Sequence, residues 1–175
     1  MGKSQHLFGW KIVFKNYGLK SFLIDSVFPI LISVILCWLL YIHEVELLIQ
    51  LDKLLNICIS ILPVIITLII TAYTILTVFI ADGKLTSVIN REKGKNLVRI
   101  LNSSFAACLA ISTLTMITVV IVSLIKNIGI TSEYAKHINY TVYFIICFLL
   151  MYSLIILIGI IEDIFNCGQT SLKDK

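Results

Sequence analysis

The chain contains little of what a catalytic or metal site is assembled from. Its histidines, His6, His43 and His137, fall outside the apolar runs, and no His-Glu-x-x-His, Gly-x-Ser-x-Gly, P-loop or paired intramembrane aspartate pattern occurs. The five cysteines, Cys37, Cys58, Cys108, Cys147 and Cys167, show no Cys-x-x-Cys spacing, which leaves no zinc-ligand set. Their odd number argues against a fully paired disulfide framework, and the first four lie in apolar segments, where they read as small hydrophobic fillers. Neither an enzyme nor a metal or cofactor protein is expected. There is also no internal repeat, no low-complexity tract and no stretch left over for a soluble domain.

Charge is scarce as well. Only 14% of the 175 residues are charged while 59% are hydrophobic, far from the roughly even apolar share and quarter of charged residues of soluble domains. Mean hydropathy is +1.01. A window of about twenty residues, the length needed to cross a bilayer, finds spans at 22–42, 57–81, 105–125 and 141–161. The first runs through "LISVILCWLLYI" straight into "HEVELL" without a small-residue cleavage site, so it reads as a retained helix. Helices apolar on every face would need a large covering protein if they were not in lipid. The fold class is therefore an all-α membrane protein with four transmembrane helices in one domain.

The charges orient it. Lys3, Lys11, Lys15 and Lys20 precede the first span, and no acidic residue appears before Asp25. The segment 82–99, "DGKLTSVINREKGKNLVR", carries Lys84, Arg91, Lys93, Lys95 and Arg99 between spans two and three, and the tail 162–175 adds Lys173 and Lys175. Together these sides hold 11 of the 14 Lys and Arg residues, and the other side only Lys53, Lys126 and Lys136. By the positive-inside rule both termini and the 82–99 loop are cytoplasmic. Trp38, Tyr41, Tyr134, Tyr140 and Tyr143 stand where an outer aromatic belt belongs. The leader 1–21 mixes lysines with Phe8, Trp10, Ile12, Val13, Phe14 and Tyr17 and reads as a basic amphipathic segment on the membrane surface; a disordered basic leader is the alternative. The outer connection keeps Val45, Leu48, Leu51 and Leu55 at helical spacing, so it either extends span one or packs on the outer surface.

Asp82, Glu162 and Asp163 sit at helix C-terminal ends, where the macrodipole disfavours them, and an inner belt of ion pairs with Lys20, Lys84 and Arg99 is the ordinary solution. In span two, Ser60, Pro63, Thr67, Thr71 and Thr74 share one narrow arc at about 100° per residue. Such a stripe lines water or hydrogen-bonds neighbouring helices and its own carbonyls; packing is the commoner use. Span three spreads Ser103, Ser104, Ala106, Ala107, Cys108, Ala110, Ser112, Thr115 and Thr118 over a broad small-residue side that admits close neighbours. Spans two and three are thus expected inside, and spans one and four at the periphery. Four helices enclose no conduit by themselves, but a homo-oligomer could line one with Ser60, Thr67, Thr71 and Thr74.

The basic residues Lys11, Lys15, Lys20, Lys84, Arg91, Lys93, Lys95 and Arg99 concentrate positive potential on one membrane face. Anionic lipid is the plain partner; a nucleotide or oligonucleotide would bind through phosphates, since 82–99 lacks the interleaved aromatics of a base-stacking platform.

In layout the chain resembles the small four-span effectors of bacterial anti-phage defence. The carriers are the leader "GWKIVFKNYGLK", the helix "ITLIITAYTILTVFIADGK", the charged "NREKGKNLVR" and the small-residue third span. Within that group it is most similar to the channel component of Hailong-type systems. The resemblance implies an oligomeric ion channel in the bacterial inner membrane. That channel is held closed by nucleic-acid oligomers from a companion nucleotidyltransferase, and the cytoplasmic basic residues are assigned to the ligand. The competing expectation is a non-conducting anchor, assembly partner or small transporter subunit whose polar faces only pack helices.

Overall fold

The computed structural model describes residues 18–43, 46–81, 92–126 and 135–172. Four helices account for nearly all of them: α1 (Leu19–Ile42), α2 (Leu47–Ala81), α3 (Glu92–Lys126) and α4 (Ala135–Leu172). Each is long and apolar enough to cross a membrane. They alternate in direction, so the bundle has a Lys53 end, where α2 and α4 begin, and an Asp163 end, where α1 and α3 begin. Gly18, at φ 80°, turns the chain into α1, and its carbonyl accepts the Phe22 N–H at 3.1 Å. A residue with a Cβ is strained in that left-handed conformation.

All helices but the first outrun the expected spans. At 35 residues, α2 rises about 52 Å, well beyond a hydrocarbon core of about 30 Å. Its first turns are the segment expected to extend span one or lie on the surface. They instead lengthen span two, because Leu51, Leu54, Leu55 and Cys58 bury a face that runs on through Leu62, Ile65 and Ile69. With that face continuous, the helix has no reason to break at the lipid boundary. The third helix likewise begins at Glu92, so the distal part of the 82–99 loop is helical, whereas residues 82–91 and the leader up to residue 17 lie outside the described residues.

The helix order within the bundle corrects one expectation. The hub is α4, which touches all three other helices, while α1 packs principally on α4 alone. Span four is therefore interior and span one peripheral. The cause lies in side-chain shape. Phe144, Phe148 and Tyr152 stack along α4 with centroids 6.5 and 5.7 Å apart, and Phe22 of α1 meets Tyr152 edge-on at 5.3 Å. Small residues make the other seam. Ser104, Cys108, Ser112 and Thr115 of α3 are buried, and the Cys108 thiol donates to the Ser153 carbonyl of α4 at 3.8 Å. Thr115 and Ser153 turn their hydroxyls to the Ile111 and Leu149 carbonyls of their own helices, which permits close approach without orphaned donors. Tyr73 and Phe105 tie α2 to α3 edge-on at 5.5 Å, and Lys126 pairs with Asp52 across the same two helices at the Lys53 end.

Two hydroxyls inside the seams, Ser33 and Ser112, have no oxygen or nitrogen partner among the described residues, and Ser33 faces only the Cys147 thiol. Ser112 faces the Cys108 thiol, a weak partner at best. An unpartnered buried hydroxyl costs stability, so Ser112→Ala is expected to leave the thermal midpoint in detergent unchanged or raise it. Ser112→Leu should lower stability by about 1–3 kcal/mol by overfilling the seam.

A polar stripe facing out of the bundle, and a basic end

The two faces of α2 are nearly opposite. Its buried side carries Leu51, Leu55, Cys58, Leu62, Ile65 and Ile69. On the other side Ser60, Pro63, Thr67, Thr71 and Thr74 are all exposed. The stripe is thus not helix packing within one bundle: α2 touches its neighbours with apolar residues and turns its hydroxyls away from them. A helix in water normally does this, but one bounded by lipid does not.

Most of these hydroxyls are committed to the helix itself. Ser60 donates to the Asn56 carbonyl at 2.9 Å, Thr67 to that of Pro63 at 2.8 Å and Thr74 to that of Ile70 at 2.8 Å. Pro63 has no N–H to give the Ile59 carbonyl, and no stripe hydroxyl bonds that carbonyl among the described residues. Thr71 differs. Exposed near the middle of the span, its hydroxyl makes no hydrogen bond among the described residues. Hydrocarbon is a poor medium for such a group, so water or another polar surface is the favourable neighbour.

The stripe is longer than the hydroxyls alone show. Asn56 and Lys53 are exposed on the same arc, one and two turns above Ser60. From Lys53 to Thr74 the polar line rises about 32 Å, a full hydrocarbon thickness. The same 100° projection that groups the hydroxyls also catches these two residues, and they are missed only when the helix is assumed to start at residue 57.

At the Asp163 end the basic candidates are partly in view. Lys11, Lys15, Lys84 and Arg91 lie outside the described residues. Lys20 stands on the first turn of α1, and Lys93 and Lys95 on the first turn of α3. The antiparallel arrangement brings these helix starts to one end, where Arg99 is exposed. The expected ion-pair belt is not formed by its described members: Arg99, Glu162 and Asp163 make no ion pair among the described residues. A cleft of about 370 Å³ opens there between α1, α3 and α4, lined by Ser21, Asp25, Ser104, Gly159 and Asp163. Its two carboxylates, Asp25 and Asp163, do not suit it to an anion. No group of histidine, cysteine or acidic residues able to hold a metal occurs among the described residues.

No family model, curated protein or solved structure matches the chain.

Because the stripe lies outside the bundle and its hydroxyls largely bond their own backbone, Thr67→Val and Thr74→Val should leave the subunit fold intact. Helical content should be unchanged and the stability of a monomeric bundle should move by no more than about 0.5 kcal/mol in a detergent melt.

Proposed function

We propose that this chain is one subunit of a homo-oligomeric membrane pore in which α2 from each copy turns its polar stripe toward a common axis. The observation that carries the reading is the direction of the stripe: a polar line about one hydrocarbon thickness long, on the side of α2 opposite its packed face. Repetition around an axis removes that line from lipid and wets it, with Thr71 supplying a hydroxyl that bonds nothing among the described residues. The chain needs no chemistry of its own for this, only position. The Lys and Arg bias supports a cytoplasmic Asp163 end, with both termini on that side; the bacterial inner membrane rests on the resemblance in layout.

The basic residues of that end support an anionic regulator, a nucleotide or oligonucleotide held through its phosphates; a companion nucleotidyltransferase as its source and anti-phage defence as its setting rest on the resemblance in layout alone. Lys93 and Lys95 stand on the first turn of α3, where the helix dipole also favours negative charge, and Arg99 follows about two turns in. Anionic lipid draws on the same charges.

A second reading, the non-conducting assembly module, is favoured by the self-satisfied hydroxyls of Ser60, Thr67 and Thr74, which allow the stripe to pack dry against another protein. Planar bilayers separate the two. Purified protein is expected to give discrete single-channel currents, and Thr67→Leu with Thr71→Leu to cut conductance severalfold at unchanged oligomeric mass. Intact oligomers without current favour the assembly module; current indifferent to both substitutions leaves a pore but takes the stripe out of its wall.

For the regulator, Lys93→Gln, Lys95→Gln and Arg99→Gln together should weaken binding of a short single-stranded DNA oligomer. They should also flatten the dependence of its affinity on salt, since each lost phosphate contact removes counterion release. Unchanged affinity across a salt series rules out this surface.

A further inference from the structure

The stripe carries a single basic residue, at one end. Lys53 is exposed on the same arc as Asn56, Ser60, Thr67, Thr71 and Thr74, about 10 Å above Ser60 along the axis. Its neighbour Asp52 does not neutralise it. Asp52 lies on the α2–α3 flank of the helix and is paired with Lys126, whereas Lys53 has no ion-pair partner among the described residues. Each copy therefore presents one uncompensated positive charge where its polar stripe meets the membrane surface.

We infer that the conduit is anion-selective, with Lys53 from each subunit forming the ring that selects for chloride-sized anions at the Lys53 end. The inference rests on the pore reading above. Rings of lysine or arginine are how anion pores set their charge, because a low-dielectric wall focuses the field of the ring into the mouth and concentrates counter-ions there. Multiplying one charge by symmetry makes the effect far larger than a single exposed lysine produces.

Two other features bear on it. Glu46 is exposed on the same side of α2, and its carbonyl accepts the Ile49 and Gln50 N–H groups at 3.1 and 3.3 Å, so it marks the helix start. It stands about 10 Å farther out than Lys53, a full Debye length at physiological salt, and its carboxylate is favoured by the positive end of the helix dipole. Lys53 is the charge nearer the membrane and sets the sign. Beyond the other end of α2, the sequence 82–99 holds five basic residues against Asp82 and Glu92, so that mouth does not oppose anion passage.

The test is the reversal potential of the purified protein in a planar bilayer under a tenfold potassium chloride gradient. Wild type is expected to pass chloride in preference to potassium, Lys53→Gln to bring the permeability ratio close to unity and Lys53→Glu to invert it. Glu46→Gln should leave the sign as in wild type. Each variant's oligomeric mass is measured alongside; should Lys53→Glu fail to assemble, Lys53→Cys modified with anionic or cationic thiosulfonate reagents reads the same charge dependence. A cation-selective wild type, or a ratio unmoved by the charge at position 53, overturns the inference while leaving a pore. Absence of current from intact wild-type oligomers overturns the pore reading itself, and this inference with it.

Discussion

A polar side chain on a membrane helix has to face something other than hydrocarbon, and this requirement organises α2 and, through it, the rest of the molecule. With one face, Leu51 through Ile69, α2 joins the bundle, and with the other it presents Lys53, Asn56, Ser60, Thr67, Thr71 and Thr74 outward. Helices packed by small or hydroxyl residues usually hide them at the contact. That arrangement is found here on α3, whose Ser104, Cys108, Ser112 and Thr115 are buried in the seam with α4. The same residue types thus do opposite things on adjacent helices, and only the direction in which they point tells the two uses apart.

The bundle is built so that α2 can afford an open face. Because α4 contacts every other helix and stacks aromatic rings against α1, the four helices hold together without asking α2 for more than one side. The Tyr73–Phe105 contact and the Asp52–Lys126 pair fix α2 against α3 at different heights. Fixing it at two levels also fixes its rotation, and rotation decides where the stripe points. A freely turning α2 could bury its threonines; one clamped this way cannot.

Much of this was legible before any coordinates. Four apolar runs of about twenty residues announce four spans, and Ser60, Thr67, Thr71 and Thr74 announce a stripe, because helical periodicity is strict. What periodicity does not carry is which face meets a neighbour. Small residues on α3 and hydroxyls on α2 mark both helices as interior by sequence, while α4, rich in Ile, Leu and Phe, reads as lipid-facing. Its central position depends on how Phe144, Phe148 and Tyr152 stack and on the Ser153 contact with Cys108, which no single helix projection contains. Lys53 escapes the stripe for a different reason. The apolar spacing of 45–55 makes its segment helical but leaves open whether it continues span one or span two, and only the unbroken helix from Leu47 places Lys53 in line with the threonines.

That continuity has an electrostatic consequence. Had α2 begun at the lipid boundary, Asp52 and Lys53 would have been neighbouring loop charges that cancel at any distance beyond a few ångströms. On a helix, adjacent residues stand about 100° apart, so the two point in different directions and meet different partners. Asp52 turns to Lys126 at the seam, and Lys53 stays with the polar line. A helix rotates a neutral sequence pair into a charge-separated one, with its positive member on the face that symmetry would gather at an axis. In the proposed pore the stripe meets water at the axis, and the helical geometry of two consecutive residues would set the sign of the charge nearest the mouth at the Lys53 end.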